Sequence, residues 1–321
     1  MTNFEVRQLE TVDYPRLAEI YNSNYPEYNL SPDEIRYDDE AWDYERYIQK
    51  QMTATISGRV EAFAAYWHSP IMYHPRKFSM TIMVDPAKQR SRIGSALYAQ
   101  ILTGLQPLNA ILVRSRTRAD QAGSKSFLQN RGFREITRDW ESRLPVDAFS
   151  AEPFKHYAEQ AASSGVTITT LAEEAKRDPD CYRKLYEIWF EKVGHDLPLP
   201  DAYTPTSFED FMTRIIKGPS MLPEGCFIAK LDGRYVGISC CGKTEREPND
   251  LYQWMTGVLR EYRGKGIAIS MKLRVIDFAA RNGYHVIKTW NNSANEAMLA
   301  INHKLGYQRH VGWVTFEKTL N

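Results

Sequence analysis

A chain of 321 residues exceeds one ordinary domain and suits two; 43% hydrophobic and 12% aromatic residues supply enough apolar surface for packed cores and exclude disorder. Lysine and arginine number 41 against 40 aspartates and glutamates, so no basic field marks a nucleic-acid surface. The chain begins with polar residues and contains no long apolar run, which argues against a signal peptide or membrane span and predicts a cytoplasmic protein.

In chain order, residues 4–9 read as a strand and 14–21 as a helix. Residues 21–47 are crowded with Tyr21, Tyr25, Tyr28, Tyr37, Trp42, Tyr44 and Tyr47, more than a solvated loop needs and suited equally to a ligand pocket or a domain interface. An acidic stretch, 33–43, falls inside it and reads as a solvated loop. A hairpin follows over 53–63 around Ser57-Gly58, then a strand at 80–84, a turn at 89–94 and a helix from about Ser95. The stretch 145–164 carries Phe154, Tyr157, Ala158 and Ala161 at helical spacing and reads as an ordered connector.

The second half repeats this order. Residues 166–171 form a strand, 182–190 a helix, and 195–225 a long insert rich in proline and aromatic residues. A hairpin over 226–236 turns at Asp232-Gly233, and a second acidic stretch, 245–250, precedes a strand at 251–258. Glycine-containing residues 263–268 then lead into a helical pattern of Met271, Leu273, Val275, Ile276, Phe278 and Ala279, followed by a strand at 285–290. The repeat keeps its spacing: Gly94 and Ala268 stand 174 residues apart, as do Gly132 and Gly306. Hairpins combined with one strand–helix–strand crossover per half predict mainly antiparallel, mixed sheets flanked by helices, an α+β class. The predicted division is a first domain at 1–148, a connector at 149–165 and a second domain at 166–321.

Cys181, Cys226, Cys240 and Cys241 show no metal-ligand spacing, and no metal is expected. The last three lie in apolar runs and read as small hydrophobes. Adjacent Cys240 and Cys241 point to opposite faces of a strand and suit neither a shared metal nor an ordinary disulfide.

The chemistry concentrates at Arg263-Gly264-Lys265-Gly266-Ile267-Ala268. A strand turning through glycines into a helix leaves backbone N–H groups unpaired at the positive end of the helix dipole, which is a site for a phosphate or pyrophosphate. Gly264 and Gly266 allow close backbone approach, while Arg263 and Lys265 add charge. The spacing matches neither a P-loop nor a dinucleotide fingerprint.

It resembles the Gln/Arg-x-x-Gly-x-Gly/Ala signature of the Gcn5-related N-acetyltransferases (GNAT), supported by Val258 upstream and Leu305-Gly306-Tyr307 downstream. The duplicated arrangement is similar to two-domain members of that family, including the mycothiol synthase group. The resemblance implies two tandem GNAT domains, acetyl-coenzyme A as donor with coenzyme A as product, and an amine acceptor; no acidic groove-like pattern marks a basic peptide partner, so a small-molecule acceptor is expected. No nucleic acid or membrane partner is expected.

By this resemblance the pyrophosphate lies on residues 263–268, and Thr256, Gly257 and Val258 face the acetyl carbonyl. Asn292 or Asn295 would meet the pantetheine arm while capping the next helix. Asp250 and Tyr252 on the strand are catalytic candidates, with Glu247, His195 and Asp196 as further bases. The position where many relatives carry a tyrosine acid is Asn302, which donates a hydrogen bond but supplies no proton. In the first half, Val84, Gln89, Arg90, Ser91, Arg92, Ile93, Gly94 and Ser95 form the corresponding loop. Arg92 replaces its first glycine, either crowding the backbone or binding phosphate through its guanidinium. The expectation is a catalytic second domain and a degenerate first, against a non-catalytic acyl-CoA sensor or transfer of another acyl group.

Overall fold

The computed structural model describes residues 3–243 and 247–320; Glu245, at the head of the second acidic stretch, lies outside them. The first half runs β1 (Glu5–Gln8), α1 (Tyr14–Asn24), α2 (Pro32–Glu40), β2 (Gln49–Ile56), β3 (Arg59–Trp67), β4 (Lys77–Val84), α3 (Ile93–Leu105), β5 (Leu112–Arg118), α4 (Ala122–Gln129) and β6 (Arg134–Pro145). The connector forms α5 (Lys155–Ser163). The second half continues with β7 (Thr167–Thr170), α6 (Leu171–Arg177), α7 (Cys181–Tyr186), α8 (Phe208–Asp210), β8 (Met221–Leu231), β9 (Arg234–Gly242) and β10 (Asp250–Val258). It ends with α9 (Ile267–Arg281), β11 (Val286–Asn292), α10 (Glu296–Lys304), β12 (Gln308–Arg309) and β13 (Trp313–Thr319).

Local chemistry accounts for the boundaries. Ser57-Gly58 and Asp232-Gly233 turn with all four φ angles positive, the primed turn whose twist suits a two-residue hairpin. In α2 the Ser31 hydroxyl accepts from the Glu34 N–H, and the Glu34 carboxylate accepts from the Ser31 N–H, closing a capping box. Thr170 and Glu173 repeat that box at α6, a helix the sequence reading did not anticipate.

Two compact units result: Met1–Thr137 with Trp313–Asn321, and Arg138–Gly312. In the first, the strands run β1-β2-β3-β4-β5-β13, antiparallel except for the β4–β5 pair. In the second they run β7-β8-β9-β10-β11-β6, antiparallel except for β10–β11, with β12 on β6. Each unit therefore closes its sheet with a strand from the other half of the sequence. A division at 1–148 and 166–321 leaves β6 and β13 each on the wrong side, because both terminal strands share one pattern and pair antiparallel with the fifth strand of the opposite repeat.

The first core gathers Phe78, Leu97, Ile101, Val113 and Phe316, and the second gathers Leu171, Leu185, Phe211, Ile228 and Ile238. Cys226 and Cys240 face one another across the β8–β9 ladder and are joined as a disulfide, which corrects their reading as independent apolar side chains. Cys181 and Cys241 are free and buried. Among the described residues no helix is long and apolar enough to cross a membrane.

Candidate active site

In the second unit β10 and β11 pair in parallel from Asp250↔Val286 to Gln253↔Thr289, with no paired residues beyond. The β10–β9 register shifts between Gln253 and Met255, so Trp254 is an extra residue, a β-bulge. The repeat confirms it: β4 pairs with β5 from Lys77↔Leu112 and stays regular against β3. Leu112 and Val286 differ by 174 positions, Lys77 and Asp250 by only 173. Beyond the additional residue Thr256 stands opposite Ser239, Gly257 opposite Ile238 and Val258 opposite Gly237.

After β10 the chain passes through Gly264 and Gly266 with φ of 77° and 73°, and Gly266 is the residue from which α9 starts. Only glycine takes this left-handed conformation freely. Arg263 Nε donates to the Val258 carbonyl at 3.0 Å, and its guanidinium pairs with Asp196, which also holds Arg260. Burial alone would raise the Asp196 pKa, but the hydrogen bonds from Arg260 and Arg263 bring it below the usual carboxylate range. Asp196 thus serves better as an anchor for Arg263 than as a base.

A cleft of about 420 Å³ opens here, lined by Asp196, Thr256, Gly257, Val258, Arg263, Gly264, Gly266, Ile267, Ala268, Asn295, Met298 and Ile301 among others. Asn295 does two jobs, since its Oδ1 accepts the Met298 N–H as a helix cap while the residue lines the cleft. Val193 lies directly against β10: a Cβ on Gly257 would fall 2.0 Å from its Cγ1. Tyr157 and Gln160 of α5 reach the same mouth. Gln160 Nε2 donates to the Gly264 carbonyl at 3.4 Å, the Tyr157 carbonyl accepts from Ser270, and Lys304 donates to the Tyr157 hydroxyl. Neither α5 residue was legible as part of the site, because helical spacing says nothing about where a helix docks.

Other candidates lie elsewhere. Asp250 is outside the lining of the cleft, and its carboxylate shares Lys288 with Glu247 at 2.7 and 3.0 Å. Burial raises the Glu247 pKa against the opposing pull of Lys288. Tyr252 stacks on Trp290 with centroids 5.4 Å apart. Asn302 is 2% exposed; its Nδ2 donates to Asn291 Oδ1 at 2.7 Å, and its own Oδ1 has no partner among the described residues. Asn292 bonds Asp139 and the Ala294 N–H, Lys265 lies over the Tyr262 ring, and His195 packs edge-on against Tyr203.

The first unit holds a larger cleft of about 550 Å³, lined by Val84, Gln89, Arg90, Arg92, Ile93, Gly94 and Ser95, with Tyr25, Arg116, Thr117, Leu128 and Arg131 among the rest. Ser91 is not among its lining residues and bonds the Lys88 carbonyl. Arg90 and Arg92 have φ of 64° and 69°, so they reproduce the left-handed pair Gly264 and Gly266 without being glycine. Gln89 Nε2 donates to the Val84 carbonyl, as Arg263 does to Val258. The arginine therefore retains the backbone form of the loop instead of replacing it with another.

Comparison with known proteins agrees with this geometry. Residues 180–307 match the model of the acetyltransferase (GNAT) family. N-acetylaspartate synthetase of Rattus norvegicus is 33% identical over 91 residues, covering 28% of this chain and 30% of that protein, so the chain spans less than a third of that relative. A solved GCN5-related N-acetyltransferase of Sphaerobacter thermophilus superposes with a TM-score of 0.71 at 18% identity, covering 98% of this chain and 95% of the other. A tandem GNAT protein from the clavulanic acid biosynthesis pathway gives 0.73 at 17% identity, covering 99% and 98%. Residues 180–307 thus match the GNAT acetyltransferase family, and the chain that carries them has the tandem GNAT fold.

Proposed function

We propose that the protein is an acetyl-coenzyme A-dependent N-acetyltransferase for the amine of a small molecule, with its chemistry in the second unit. The observation that carries this reading is the bulge at Trp254, present in β10 and missing from β4, at the point where β10 leaves its parallel neighbour. Acetyl-coenzyme A, when bound, supplies the acetyl group as a thioester. The protein would hold its pyrophosphate on the backbone of residues 263–268 and at the α9 N-terminus. Thr256, Gly257 and Val258 would face the acyl group, and fixed donors at such an edge act where negative charge develops on an acyl oxygen. Asn295 would take the pantetheine amides. The curated relative named above is a synthetase of N-acetylaspartate, a small N-acetylated molecule, which accords with a small amine acceptor.

A second reading adds to the first. Non-glycine residues at two left-handed positions cost roughly 1–2 kcal/mol each, and such strain persists where surroundings enforce it, often at ligand sites. Arg90 and Arg92 keep it, so the first unit is proposed as a second donor-binding cleft without the bulged strand. A purely sensing protein would bind the donor in either cleft and release no thiol.

Ala268 and Gly94 occupy equivalent places in the two clefts, and tryptophan at either fills its own cleft. Calorimetric titration of acetyl-coenzyme A should give two sites in the wild type and one in each of Ala268→Trp and Gly94→Trp. Thiol release with a panel of amines should disappear only in Ala268→Trp. Loss of release in Gly94→Trp alone would move the chemistry to the first unit.

A further inference from the structure

A chain of buried polar groups runs from α9 to the wall of the second unit's cleft. Lys272 Nζ donates to Gln253 Oε1 at 3.2 Å. The Gln253 amide donates to Ser239 Oγ at 3.1 Å and to the Cys240 carbonyl at 3.3 Å. Ser239 Oγ lies 2.9 Å from Thr256 Oγ1, and Thr256 lines the cleft. Lys272, Gln253 and Ser239 are 1%, 4% and 0% exposed. The bulge makes the chain possible. Gln253 pairs with Cys241 and Thr256 with Ser239, so two residues three positions apart share one face of β10.

The direction of each hydrogen bond follows from what the atoms can do. A carbonyl only accepts, so the nitrogen of the Gln253 amide must face Cys240, which leaves Oε1 for Lys272. With an N–H of Gln253 aimed at Ser239 Oγ, the serine hydrogen needs its own acceptor, because buried donors are seldom left unpaired. Thr256 Oγ1 is the acceptor beside it. Once Thr256 accepts from Ser239, its own hydrogen is free for the cleft.

We propose that this polarised chain makes the Thr256 hydroxyl a fixed hydrogen-bond donor to the thioester of the bound acyl donor. Gln253 and Ser239 are then positioning residues. This rests on the reading of the second unit as the acetyl-coenzyme A site.

The test is the carbonyl stretch of acetyl-coenzyme A labelled with carbon-13 at the thioester, measured by difference infrared spectroscopy on the full chain with calorimetry alongside. Thr256→Val removes the donor. Gln253→Glu, ionised against Lys272, puts an acceptor-only carboxylate beside Ser239, so Ser239 must donate to it, Thr256 must donate to Ser239, and the cleft loses its hydrogen. Both substitutions should raise the stretch by the same amount, the double variant should add nothing further, and Thr256→Ser should restore the wild-type band. Lys272→Met should leave it in place, because the Cys240 carbonyl still orients the amide. Where an amine is turned over, kcat should fall roughly 100- to 1000-fold in the two altered variants while donor affinity changes little. A band unmoved by Thr256→Val, or moved by Thr256→Val but not by Gln253→Glu, overturns the inference alone. No donor binding by the wild type, or binding that Ala268→Trp leaves untouched, overturns the functional reading beneath it.

Discussion

At the scale of single residues, Lys272 is the side chain whose place in the core carries the clearest cost. Burial lowers its pKa from an ordinary 10.5 to about 7, since the charged form loses its water. Between those values the unfolded chain holds one more proton than the folded chain, so stability rises with pH, by at most about 1.4 kcal/mol per pH unit. Below about pH 7 both states are protonated and the full penalty stands. Lys272→Met removes the penalty and leaves Gln253 Oε1 unpaired. Urea unfolding should find the variant more stable by about 2–3 kcal/mol at neutral pH, with the advantage gone by about pH 9.5. Parallel stability curves for the two proteins across that window would show that Lys272 does not lose its proton there. Its burial was partly written in the sequence. Lys272, Val275, Ile276 and Ala279 follow the 3.6 period and are all buried, but a reading by hydrophobicity alone passes over a lysine on that stripe. Gly257 shows the opposite limit: nothing local to 251–258 foretells that Val193 will sit 2.0 Å from where its Cβ would be.

At the scale of elements, the hairpins, the glycine turn at 263–268, the crossover helices and the connector helix were legible because each is set by neighbours in sequence: a Ser-Gly or Asp-Gly turn, a glycine at positive φ, an apolar period. The bulge was not. Spacing puts the turn at 263–268 and the strand β11 each 174 residues after its counterpart in the first half, yet only the pairing register reveals that β10 contains one residue more than β4. That surplus residue makes a specific expectation possible. Gln253 pairs with Cys241 and Met255 with Cys240, so deleting Trp254 joins two stretches already in register, with no slip of the ladder. The deletion variant should therefore fold, with a melting temperature a few degrees lower from the lost packing of the ring over Gly242. It should bind acetyl-coenzyme A at the unchanged loop 263–268 and transfer acetyl at least 100-fold more slowly, since the edge donors are no longer aimed. Transfer at the wild-type rate would separate the bulge from the chemistry.

At the scale of the whole molecule, the repeat showed that two similar units exist but not how they share their strands. β6 and β13 each follow a helix and a Gly-Phe or Gly-Tyr turn, so either could complete either sheet on local evidence. Long-range pairing decides, and β13 completes the first unit through seven register pairs with β5. Val314 and Phe316 are both fully buried there, and Arg114 pairs with Glu317 at 2.8 Å. Burying those two side chains contributes about 3–6 kcal/mol, a large part of the roughly 5–15 kcal/mol that holds a domain folded. A chain ending at residue 312 should therefore lose the first unit selectively. Hydrogen exchange should show β4 and β5 amides unprotected while β9 and β10 keep their protection, and a peptide of residues 313–321 added in trans should restore part of it. For the same reason a fragment of residues 1–148, the domain that the repeat alone would define, should not fold without that peptide. Wild-type protection of β5 in the shortened chain would mean that the first sheet is complete without β13, and the exchange of terminal strands would then be an ornament of the fold rather than its closure.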